Sequence, residues 1–139
     1  MPRFPLALVL AVAIVPVAAA GGDDAPPTVT LTEYISRNSL ESVTTKQFIF
    51  MRCGALFLLY AAAIGPGAQA DKFSHVAAKL FEAAQMPDTA TQRAFVLDQG
   101  QRMLAMYMER AKSAKARTGN WSDDSIIKSD ADVCTLITK

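Results

Sequence analysis

Few residues in this chain are of a type that could do chemistry. There is one histidine, His75, and there are two cysteines, Cys53 and Cys134. Nucleophilic catalysis needs a Ser, Cys or Thr beside a base, and metal-assisted hydrolysis needs clustered His and carboxylate ligands. Neither G-x-S-x-G, H-E-x-x-H nor a glycine-rich phosphate loop occurs, and C-x-x-C-H, the attachment site of covalent haem, is missing. Two cysteines and one histidine fall short of a zinc ligand set. Asp123, Asp124, Asp130 and Asp132 lack the glycine of a calcium loop and read as charges near a helix start. His75 lies opposite the apolar stripe of its segment, beside Lys72, Lys79 and Glu82, and reads as solvated. The thioethers of Met103, Met106 and Met108 suit Cu(I), but at 100° per residue Met103 and Met108 join an inward stripe while Met106 points away. Met103 and Met108 therefore read as core. The expectation is a non-enzyme with no catalytic residue, metal site or cofactor.

Two charges stand out by position. Arg52 interrupts an otherwise apolar segment, and Asp130 falls within the stripe of Ile126, Ile127, Val133 and Cys134. An unpaired buried charge is costly, so Arg52 and Asp130 are expected to pair. Their neighbours Cys53 and Cys134 are the only cysteines, and an isolated pair in an exported chain reads as a disulfide. Closing a loop of roughly 80 residues would stabilise by roughly 4 to 5 kcal/mol on the chain-entropy model. An alternative use of Arg52 is as an anion anchor in a small-ligand carrier or sensor, with a pocket lined by Phe48, Phe57 and Tyr60.

A second group could serve recognition. Phe95, Gln99, Arg102 and Met106 share one outward helical stripe, and exposed aromatic, Met and Arg side chains are enriched in interface cores. Trp121 is a further exposed aromatic candidate. Another helix covering this stripe is the plain structural alternative. The sequon Asn120-Trp121-Ser122 matters only in a eukaryotic secretory pathway.

Five helices are needed to place these groups. Residues 1–20 carry Arg3, an uncharged run from Leu6 to Val17 and an Ala18-Ala19-Ala20 cleavage pattern, the features of a secretory signal peptide. Residues 21–29 read as a disordered leader, and 30–139 as a single domain. Thr30 with Glu33 opens a short helix to Arg37; Thr44 with Gln47 opens a long apolar one ending at Gly65-Pro66-Gly67. Phe48 to Gly65 is long enough to span a membrane, but Arg52, the need of three amphipathic helices for a buried centre, and a partner of Cys53 on a helix too polar for lipid favour a buried core helix without stable membrane insertion. A third helix covers Lys72 to Gln85, and a fourth runs from the Thr89 cap to Arg117. The inward face of this fourth helix is Val96, Leu97, Gly100, Met103, Leu104, Tyr107, Met108 and Ala111. A fifth runs from Asp123 to Ile137. No strand alternation or repeat appears, so the fold class is an all-α bundle of four main helices plus a short N-terminal one.

The whole chain has 139 residues with 14 Lys+Arg and 13 Asp+Glu. This near-neutral balance gives no footprint for nucleic acid or a polyanionic surface. Together these features predict a periplasmic or secreted helical protein that binds another exported or periplasmic protein, of inhibitor, immunity or adaptor type.

Overall fold

A computed structural model describes residues 29–139. Residues 1–20, read as a signal peptide, and 21–28 of the expected leader lie outside the described residues.

Helix α1 spans Leu31–Arg37, with the Thr30 hydroxyl accepting from the Glu33 amide at its N-terminus. Helix α2 spans Val43–Ile64 and is capped by Ser42, which accepts from the Thr45 amide. The expected Thr44 cap is displaced two residues upstream, because Ser42 offers the same hydroxyl. Gln47 is then not needed at the cap. Its Nε2 instead donates to the Ala84 carbonyl (2.8 Å) and to Gln92 Oε1 (2.6 Å), binding α2 to the end of α3 and the first turn of α4. Helix α3, Ala68–Ala84, starts on Gly67 without a side-chain cap, four residues before the expected Lys72. Helix α4, Ala90–Thr118, is capped by Thr89 and stopped by Gly119, whose left-handed φ of 87° suits a residue without Cβ. Helix α5, Ser125–Ile137, starts on Asp124, whose carboxylate accepts from the Ile126 and Ile127 amides.

The result is an all-α bundle with no strand among the described residues, organised around α2, which packs against the other four helices. Met51 to Phe57 are all buried, so α2 is enclosed on every side at its middle. It is apolar and long enough to cross a membrane by length and composition. Phe81 of α3 wedges between α2 and α4 where both carry glycine: a Cβ on Gly54 or on Gly100 would lie 3.0 or 2.8 Å from its ring. Close approach of three helices thus depends on two missing methyl groups.

The buried face of α4 is narrower than the expected one. Val96, Gly100, Met103, Tyr107 and Ala111 are buried, but Leu97 and Met108 are 63% and 43% exposed, and Met106 packs against the core. Met106 and Met108 lie on either side of Tyr107, each about 100° away, so helical spacing alone leaves both on the edge of the stripe. Coverage by the neighbouring helices decides between them. At the end of α5, Ile137 is exposed.

Candidate functional site

Cys53 and Cys134 form a disulfide with Cα atoms 5.4 Å apart, tying α5 to the centre of α2. The bridge suggests an oxidising, extracellular environment. Beside it lies a wholly buried polar cluster. Arg52 and Asp130 are both 0% exposed, with Arg52 Nη2 2.8 Å and Nε 3.0 Å from Asp130 Oδ2. The Tyr107 hydroxyl donates to the same oxygen and accepts from Arg52 Nε (2.8 Å). Asp130 Oδ1 accepts from the Leu31 amide (2.7 Å), and Arg52 Nη2 donates to the Val29 carbonyl. The guanidinium also lies 5.7 and 5.5 Å from the ring centroids of Phe48 and Tyr107.

Each participant is placed by its helix. Arg52 and Cys53 are consecutive on α2, Asp130 and Cys134 are one turn apart on α5, and Tyr107 sits on the buried stripe of α4. One carboxylate therefore joins α2, α4, α5 and the chain entering α1. Val29, expected in the leader, is anchored to Arg52 instead. Among the described residues no buried side-chain nitrogen or oxygen lacks a partner, which is the condition for tolerating such a cluster. Burial pushes the Tyr107 hydroxyl well above its usual pKa; the Arg52 charge opposes this and the Asp130 charge adds to it. The phenol stays a neutral donor. Chemically the cluster is a saturated structural tie.

Phe48 stacks on Tyr34 at 4.0 Å, whereas Phe57 and Tyr60 belong to a separate aromatic group with Phe73 and Trp121. Of Phe48, Phe57 and Tyr60, Phe48 lies beside the Arg52 guanidinium, whose partners include Asp130, Tyr107 and Val29.

The expected recognition stripe is only partly exposed. Phe95 is 42% exposed, and Arg102 is exposed but pairs with Asp98 at 3.0 Å one turn away. Gln99 is half-buried. Met106 packs inward, and Trp121 is half-buried edge-on to Tyr60 at 5.3 Å, so neither is a free anchor. On the opposite flank of α4, Leu97 and Met108 are eleven residues apart and in line, with half-buried Leu104 between them. His75 is exposed, and no group of three His, Cys, Asp or Glu among the described residues could hold a metal ion.

Sequence reasoning missed Tyr107, Val29 and Leu31. A tyrosine on a buried stripe requires a partner for its hydroxyl, a signal that was available; the two backbone groups left none. Comparison with known protein families, curated proteins and solved structures gives no match.

Proposed function

We propose that this chain is exported, loses residues 1–20 as a signal peptide, and works in the periplasm by binding another exported protein rather than by catalysis. The observation supporting this reading is the contrast between a closed interior and an unevenly covered α4. The buried polar groups are used up within the fold, while Leu97 and Met108 present large apolar side chains in line along one flank of a rigid helix, with exposed Phe95 on the other flank. A helix displaying aligned apolar positions offers anchors at little entropic cost to a partner surface. Arg102 and Asp98 supply a polar rim beside Phe95.

The test is affinity capture from periplasmic extract with the oxidised protein as bait, beside a Leu97→Asp, Met108→Asp variant with unchanged helical circular dichroism. The proposal expects one protein to be recovered by the wild type and lost by the variant. Identical recovery by both, or none by either, would count against it.

A further inference from the structure

We propose that α5 is a latch over the buried disulfide: thiol-disulfide exchange at Cys53–Cys134 requires the α5 turn carrying Asp130 and Cys134 to lift, and the Arg52–Asp130 pair governs how readily it lifts. Both cysteines are 0% exposed. An external thiolate must reach a disulfide sulfur to attack it, so the closed molecule offers no route. The apolar hold of α5 weakens along its length: Ile126 and Ile127 are buried near its start, Ala131 and Val133 are only partly buried against the core, and Leu136 and Ile137 are exposed at its end. Its beginning is pinned separately, by Asp124 accepting from Arg110 Nε at 2.8 Å. The polar hold on the turn next to Cys134 is Asp130, through Arg52, Tyr107 and the Leu31 amide. This arrangement makes residues near Asp124 the pivot and Asp130 the catch.

Oxidation then proceeds by two exchange steps. With α5 lifted, one cysteine thiolate attacks an external disulfide, releasing one of its sulfurs as a thiol and leaving a mixed disulfide. The second cysteine thiolate displaces the other external sulfur and closes the bridge. Overall the two cysteines lose two protons and two electrons, and the external disulfide becomes two thiols. Docking of Asp130 onto Arg52 then seals the bridge from reductant, which suits a protein meeting both thiols and disulfides outside the cell.

The experiment measures reduction of the purified oxidised chain by dithiothreitol, with released thiols alkylated and counted by mass. The native protein should be reduced about 100-fold or more slowly than the same chain in guanidinium chloride. Asp130→Asn should accelerate native reduction about tenfold or more, and Tyr107→Phe, which keeps the charge pair, by a smaller factor. Tyr107→Phe keeps the test open if Asp130→Asn does not fold. Gly100→Ala, destabilising through the Phe81 ring of α3 rather than through a contact of Asp130, separates a local latch from whole-molecule unfolding and should leave the rate within about twofold. Native reduction as fast as in denaturant, no acceleration by either latch variant, or equal acceleration by Gly100→Ala would overturn the proposal.

Discussion

Replacing Asp130 by asparagine removes the negative charge that compensates Arg52 while leaving the shape of the side chain nearly unchanged. In the native cluster Oδ2 accepts from Arg52 Nε, Arg52 Nη2 and the Tyr107 hydroxyl, and Oδ1 accepts from the Leu31 amide. Asparagine can keep one acceptor, for example toward Leu31, but its amide then turns two N–H groups toward three donors. With Arg52 fully buried, loss of the carboxylate is expected to cost about 3 to 5 kcal/mol, because the buried guanidinium loses the negative charge that Asp130 supplies. For a folded part of this size, about 4 °C of Tm per kcal/mol gives a fall of about 12 to 20 °C. Thermal unfolding followed by circular dichroism under oxidising conditions provides the assay. A companion double variant, Arg52→Met with Asp130→Leu, removes both charges and should recover part of the loss. A fall of less than about 4 °C for Asp130→Asn would show that the pair contributes no more than an exposed salt bridge and would refute the reasoning.

Three further perturbations probe the rest of the fold. Gly100→Ala should destabilise even though it adds a better helix former: the Phe81 ring cannot retreat from a Cβ at Gly100 without meeting Gly54, and overpacking of about 1 to 3 kcal/mol exceeds the gain of about 0.5 to 1 from replacing glycine. Urea unfolding reads it, and adding Phe81→Leu should relieve it. Burial works against the Asp124 carboxylate, but hydrogen bonds from Arg110 and from the Ile127 and Ile126 amides outweigh it and hold its pKa below the usual value. A lowered native pKa gives stability present above the unfolded carboxylate pKa of about 3.9 and lost as pH falls through the native value, so acid unfolding should shift less in Asp124→Asn than in wild type. Removing both cysteines as Cys53→Ala, Cys134→Ala should cost about 4 to 5 kcal/mol, since the bridge spans 81 residues; urea titration under matched conditions checks this.

Much of the bundle is legible in the sequence because amphipathic spacing and caps are local. The Thr30 and Thr89 caps and the Gly119 stop act within one turn of the residues that declare them. Arg52 and Asp130 are legible for a different reason: each is a charge where the surrounding pattern is apolar, so each demands the other. Boundaries blur where two residues offer the same chemistry, as Ser42 and Thr44 both do at the start of α2. The start of α3 at Ala68 has no side-chain signal at all. Exposure on the flanks of α4 was not legible, because Met106 and Met108 are equivalent by helical angle and only neighbouring helices distinguish them. The same holds for Trp121, whose burial depends on Tyr60, distant in sequence. Val29 and Leu31 enter the cluster through backbone groups, which every residue carries and no pattern marks.

The reading as a protein-binding module is tested most directly by placing a photo-cross-linking amino acid at Leu97, 63% exposed on α4, in the protein produced with its own export signal. Irradiation of intact cells should give one adduct of defined mass, abolished by adding Met108→Asp and absent when the same group is placed at exposed Lys79 on α3. No adduct at Leu97, or a smear identical to that from Lys79, would contradict the account.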